Sequence, residues 1–231
     1  MKAWMILTLV AAWAAAACQS DGSRPSLLDE PRILAVRTDP VALPSGATGT
    51  IEVLAHDVTV AVWQGCATPW TAQAEPVCRT GAWPLGTGTK LTVPVPAGLT
   101  TLHLRVDAHG PSGQAQSAIA RWSAQAAGSN PGVLVSAVAP TVGLHEAPLS
   151  GQLAMRGSTP GGASASATHT WFATAGEFLP WRTRGESATT WFAPAVAGPV
   201  TLVCVSRDGL GGVGWTQWNL HVGSTAQGVT P

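Results

Sequence analysis

Residues 101–109, TLHLRVDAH, place an apolar side chain at every second position. Leu102, Leu104, Val106 and Ala108 share one face, and His103, Arg105, Asp107 and His109 share the other. That period belongs to an extended strand with one dry and one wet side. Residues 50–56 repeat it, with Ile51, Val53 and Ala55 set against Glu52 and His56. Residues 90–95 do so with Leu91, Val93 and Val95 inward. Pro94 removes a ladder donor, which predicts a sheet edge or a strand end. Turn clusters at 44–46 (PSG), 86–88 (GTG), 96–98 (PAG) and 110–113 (GPSG) separate the runs. Short strands divided by regular turns, without intervening helices, predict an antiparallel β-sandwich.

Composition narrows the class. Charged residues are 10% of the chain and hydrophobic ones 45%, which excludes a solvated coiled coil or a charge-rich disordered protein. Twelve basic and twelve acidic side chains cancel, so no nucleic-acid partner is expected.

The second part of the chain repeats the grammar of the first. Pro96-Ala97-Gly98 leading to Thr101-Leu102 has its counterpart in Pro194-Ala195-Val196-Ala197-Gly198 leading to Thr201-Leu202. Each lead-in opens a strand that ends near an acidic residue and a Gly-rich turn, Asp107 to Gly113 and Asp208 to Gly214. Each half carries a Trp on an earlier apolar strand, Trp63 and Trp171. The ordered set predicts two copies of one module, at 32–126 and 127–223, with a flexible tail at 224–231. The break falls near 124–132, AQAAGSNPG. Residues 114–122 also fit helical spacing through Ala115, Ala118, Ile119 and Trp122, but 213–222 alternates through Thr216, Trp218, Leu220 and Val222. A strand is therefore expected in both places.

HTWFATAGEFLPWRTR and TTWFAPAVAGPVTLVCVSRDGLGGVGWTQWNLHV in the second half resemble the immunoglobulin-like or PKD-like repeats of bacterial surface proteins. DEPRILAVRTDP, followed by AVWQGC and a later Cys, resembles the amino-terminal module of Gram-negative surface lipoproteins. The resemblance covers about residues 29 to 223. It implies an all-β fold of two tandem immunoglobulin-like antiparallel sandwiches after a signal peptide and a flexible tether. It is nearly silent on chemistry, because the fold hosts many functions.

Lys2 and the apolar run Ala3–Ala17 read as a signal peptide, 1–17, too short at about 1.5 Å per residue to cross a ~30 Å hydrocarbon core comfortably. Ala15-Ala16-Ala17 before Cys18 resembles a bacterial lipobox, with Ala15 where Leu is usual. This implies a lipid on the Cys18 sulfur and attachment to a membrane. Ordinary cleavage with an unmodified Cys18 is the alternative. Residues 18–31, polar and turn-rich, read as a tether, and Gln19 is compatible with sorting to the outer membrane.

An exported chain meets an oxidising compartment. Cys66 and Cys78, in one half with eleven residues between them, are expected to pair, which stabilises by about 3 kcal/mol on the chain-entropy model. No CxxC or neighbouring His pair supports a metal. Cys204, on a face with Val200 and Leu202, is expected to be a buried, inert thiol.

Motifs that suggest chemistry lack their context. Gly209-Leu210-Gly211-Gly212-Val213-Gly214 matches a dinucleotide fingerprint, but a strand pattern follows where a helix is needed. Gly86-Thr87-Gly88-Thr89-Lys90 fails as a P-loop for the same reason. His145-Glu146 is an adjacent His–carboxylate pair in a turn-like connection, and His103, His109, His169 and His221 are expected singly and outward on strands. Asp208 is a candidate calcium ligand, yet calcium takes six or more oxygens and no acidic cluster surrounds it. No catalytic set, metal site or cofactor is expected. The eleven Trp ask for a reason. Trp63, Trp171 and Trp218 are expected in sandwich cores. Trp70, Trp83, Trp181 and Trp215 are candidates for a protein partner or a glycan. The sequence thus points to a non-enzymatic envelope lipoprotein, on the cell surface or the periplasmic face of the outer membrane, that acts as a structural or protein-interaction module. A glycan- or peptidoglycan-binding module using loop Trp side chains is the alternative.

Overall fold

A computed structural model describes residues 24–71, 77–139, 146–159 and 166–223. These form strands and turns, with no helix among the described residues. The first sandwich comprises β1 (Arg32–Asp39), β2 (Thr48–His56), β3 (Val60–Cys66), β4 (Trp83–Thr87), β5 (Lys90–Pro94), β6 (Thr101–His109) and β7 (Ala115–Ser123). A three-stranded sheet, β1-β2-β5, faces a four-stranded one, β4-β3-β6-β7. The second contains β8 (Leu134–Ala139), β9 (Glu146–Pro148), β10 (Gln152–Ser158), β11 (Thr168–Ala173), β12 (Glu177–Leu179), β13 (Arg182–Arg184), β14 (Ala188–Phe192), β15 (Gly198–Arg207) and β16 (Val213–Gly223). Its sheets run β12-β14-β10-β8 and β13-β11-β15-β16-β9, antiparallel except where β9 joins β16. The fold is all-β, two tandem immunoglobulin-like sandwiches. The two lead-ins matched in the sequence open β6 and β15, which occupy equivalent places in the sheet orders β3-β6-β7 and β11-β15-β16.

Side-chain alternation decides which face is dry. On β6, Leu102, Leu104, Val106 and Ala108 are fully buried, while the residues between them are half-buried. Trp63 on β3 and Trp122 on β7 fill the first core, and each satisfies its indole N–H. Trp63 donates to the Gly88 carbonyl at 2.8 Å, and Trp122 to that of Pro40 at 3.0 Å. Gly49 on β2 lies so close beneath the Trp122 ring that a Cβ would overlap it. The second core holds Trp171, Trp191, Phe178 and Met155, with Trp171 donating to Thr183 Oγ1 at 3.0 Å and Trp191 to the Ala175 carbonyl at 3.2 Å. Buried indoles with a paired N–H contribute area without leaving an orphan donor. Trp218, expected in the core, is half-buried at its margin, and its N–H has no partner among the described residues. Trp191 takes the interior place.

The sandwiches share a third apolar cluster. Phe172 on β11 and Val203 and Val205 on β15 point away from the second core and meet Leu34 and Ala35 of β1, with Leu28. The sheet around β11 and β15 is therefore buried on both faces. Polar contacts tie the same junction. Arg207 donates to the Leu34 carbonyl at 3.3 Å, and the Asn130 amide donates to the Thr38 carbonyl at 2.8 Å while its Oδ1 accepts from Val213 N–H at 3.2 Å.

One expectation about a connecting segment is corrected here. Residues 24–31 were expected within a free tether, but Ser26 and Leu28 are buried on the second sandwich. Leu28 N–H donates to the Ala173 carbonyl, and Ala173 N–H to that of Ser26, both at 2.8 Å. The linker 124–132 has the composition of a hinge, yet it is docked. A Cβ at Gly128, Gly212 or Gly214 would overlap Asp208, Ser129 or Pro131 respectively, so these glycines let two backbones approach closely.

Candidate interaction surface

Cys66 ends β3 and bonds to Cys78, with Cα atoms 5.8 Å apart. Trp70 lies in the loop so closed and bridges backbone to backbone with Cys78. Its indole N–H donates to the His103 carbonyl at 3.4 Å, and Arg105 lies 5.8 Å from its ring centroid. The staple thus lays Trp70 over the outward residues of β6. Arg105 pairs with Asp107 at 2.9 Å, and Ser117 of β7 also donates to Asp107. Burial, and then the nearby Arg121, holds His103 below the usual imidazole range.

The four candidate Trp residues do not converge. Trp83 packs over Gly65 at the margin of the first core and lines a groove of about 430 Å3 with Pro84, Leu85, Pro94, Val95 and Pro96. Trp181 packs at the margin of the second core, with Arg182 4.6 Å from its ring centroid. Trp215 belongs to the junction, where Arg37 sits 4.1 Å over its ring and also pairs with Glu52 at 2.7 Å. Its assignment as a partner anchor is corrected: it holds one sandwich to the other.

Asp208 is corrected as well. It is buried, and its Oδ1 accepts the N–H groups of Leu210 at 2.7 Å and Gly212 at 2.8 Å. The carboxylate organises the β15–β16 hairpin, so the glycine run is a turn and not a phosphate cradle. No group of three or more His, Cys, Asp or Glu residues able to hold a metal gathers among the described residues. Cys18 and His145 lie outside the described residues, and Glu146 is described through its backbone, which pairs with His221. Cys204 is free and buried, and burial pushes its thiol well above the ordinary range.

His169 differs most from expectation. His109 and His221 are exposed on their strands, but His169 faces inward on β11 with no exposure. One ring nitrogen, Nε2, lies 3.0 Å from the Gly185 carbonyl, and Nδ1 has no partner among the described residues. Burial pushes its pKa down, against the raising effect of the Gly185 contact. The folded state therefore favours the neutral ring. Its contribution to stability is full above about pH 6.5 and is lost as pH falls below that value towards the depressed folded pKa. The urea midpoint is expected to drop between about pH 7.5 and pH 5, and His169→Gln is expected to flatten that drop. An unchanged slope in the variant would assign the pH dependence elsewhere.

No protein-family description matches the sequence, and no curated protein matches it. Solved structures do match. The tandem Ig repeats of Dlar are 13% identical, with a TM-score of 0.33, covering 85% of this chain and all of that one. The central fibronectin-III array of RIM-binding protein is 7% identical, with a TM-score of 0.27, covering 82% of this chain and 61% of that one. The complex of Dpr2 Ig1-Ig2 with DIP-Theta Ig1-Ig3 gives 13% identity and a TM-score of 0.25, covering 83% of this chain and 64% of the matched chain. At these values no activity transfers, and the fold rests on the strand order above.

Proposed function

We propose that the chain is a non-enzymatic envelope lipoprotein, anchored through a lipid on Cys18, whose first sandwich engages a protein partner around Trp70. The observation that carries the partner reading is the disulfide-stapled loop, which holds an amphipathic ring against the outward residues of β6. A ring fixed in advance loses little conformational freedom on binding. The shared apolar junction supports a structural role, since it presents both sandwiches as one body. The anchor rests on the sequence around Cys18, and an outer-membrane or cell-surface address follows from it. From Cys18 to the docked Ser26 is eight residues, a reach of at most ~28 Å, so an anchored module stands close to the bilayer. The glycan reading has less support, because an Arg guanidinium already lies over the rings of Trp70, Trp181 and Trp215.

The mature protein is expected to partition into detergent, with a diacylglyceryl mass on its Cys18 peptide. Full solubility with a free Cys18 removes the anchor. In cross-linked pull-downs from intact envelope, Trp70→Ala is expected to weaken partner capture about thirtyfold, the effect of losing a 2 kcal/mol hot spot. Undiminished capture by a folded Trp70→Ala chain would exclude this surface.

A further inference from the structure

Each sheet ends in two strands whose outer backbone groups face away from the ladder, and most of these ends are blunted. β9, β12 and β13 have three residues each, and β4 and β5 have five each, with Pro84 in one and Pro94 in the other. β8 has six, between Pro131 and Pro140. β1 has eight, but the second sandwich lies against it through Arg37, Leu34 and Ala35. β7 is the exception up to its last residue, Ser123, whose carbonyl accepts from Leu43 N–H at 3.1 Å. It is the longest terminal strand, nine residues with neither Pro nor Gly, and Ala115, Gln116, Ser117, Ile119 and Arg121 are exposed. A long edge of this kind is a template for strand addition, and native proteins usually protect it.

We propose that β7 pairs antiparallel with β7 of a second copy of this chain, joining two four-stranded sheets into one. The sequence of β7 fits its own reverse. With the two-fold axis at Ile119, that residue, 50% exposed in the single chain, meets the partner's Ile119. Cross-strand branched pairs of this sort stabilise a sheet. Arg121, the one charged residue of the strand, then faces the partner's Ser117 and not a like charge. Ser117 already donates to Asp107 on the adjacent β6, so Arg121 of each copy approaches an acidic group one strand beyond, about 5 Å further on the same face. In the single chain Arg121 stands opposite His103, a pairing that repels when the imidazole is protonated. Self-pairing leaves that neighbour in place and adds a complementary one on the other side of Arg121, and the contact is isologous, so it closes at two copies.

The proposal goes beyond anchoring and partner capture and is tested apart from them. Sedimentation of the full mature chain is expected to show a concentration-dependent doubling of mass. Ile119→Lys, which sets two ammonium groups against each other at the axis, is expected to return the mass to one copy with the β-type circular dichroism intact. Under mild oxidation Ile119→Cys is expected to form a disulfide-linked dimer, while Val196→Cys, at a position 76% exposed on the second sandwich, is expected not to. A wild-type chain that stays single at the highest attainable concentration overturns the proposal. So does doubling that survives Ile119→Lys, or an Ile119→Cys chain that cross-links no faster than the Val196→Cys chain. A single-copy mass together with capture of an extended peptide by β7 would assign the edge to a different protein. Because mass reads self-association alone, failure here leaves the Cys18 and Trp70 tests unaffected.

Discussion

Trp171→Ala is expected to lower stability by about 3–5 kcal/mol, the range for removing a large buried aromatic ring. Trp171 has no exposure, packs 5.4 Å from the Phe178 ring centroid, and donates its N–H to Thr183 Oγ1. Truncation leaves a cavity between the two sheets and takes a partner from a buried hydroxyl. The loss should not stay in one sandwich. Phe172, the next residue on β11, points the other way and forms part of the surface on which Leu34 and Ala35 rest. Urea titration should therefore give a lower midpoint, and hydrogen exchange should show reduced protection in β1 as well as in β11 and β15. Trp218→Ala, at a half-buried ring whose N–H has no partner among the described residues, is the contrast and should cost much less. Equal losses at the two positions would mean that burial of the ring is not what stabilises this domain.

The readable and unreadable parts of the chain divide along physical lines. β6 has one wet face, so its alternation announces both the strand and the residues that fill the core. β11 and β15 have none. Phe172, Val203 and Val205 are apolar where a one-sided sheet would carry polar groups, and that excess was the available signal of a covered outer face. It is easily taken for a single core, because a continuous apolar run has no period. The linker shows the opposite difficulty. Gly128, Asn130 and Pro131 suit a hinge and suit a docked strap equally, and only Gly212 and Gly214 across the gap decide between them. His169 is ambiguous for a similar reason. Alternation puts it on the face of Trp171, inward, yet its polarity argues for solvent, and the close approach of Gly157 is what makes room for the ring.

The candidate site was partly legible. Cys66 and Cys78 pair as their spacing suggests, since a short loop closes readily. The Trp residues were harder to assign, because loop or strand position does not say which face of a ring is covered. Trp70 and Trp83 fall on separate surfaces although one lies within the disulfide loop and the other just beyond it in sequence. Trp215 is committed to the junction by Arg37, from the far end of the described chain, and no local pattern reports a contact at that separation.

Val205→Asp should open the junction without unfolding either sandwich. Val205 has no exposure and sits on the outer face of β15 among Leu34, Ala35 and Phe172. A carboxylate there lies among apolar side chains, and the cations at the margin are already engaged, Arg37 by Glu52 and Arg207 by the Leu34 carbonyl. Burying a charge without a close partner costs several kcal/mol even after relaxation. The lower-energy response is separation, which hydrates the new charge and leaves the core residues Trp171, Leu202 and Cys204 on the opposite face undisturbed. X-ray scattering should then show a larger radius of gyration with the β-type circular dichroism retained. Limited proteolysis, slow in the parent chain because the linker is docked, should cut first at 124–132. Val205→Thr, nearly isosteric and uncharged, should keep the compact form. If Val205→Asp stays compact and resists cleavage, the apolar cluster is not what holds the sandwiches together, and the polar ties of Asn130 and Arg207 must carry the junction. If instead both sandwiches unfold, the two halves are one cooperative unit, and the strap and linker are parts of a single fold.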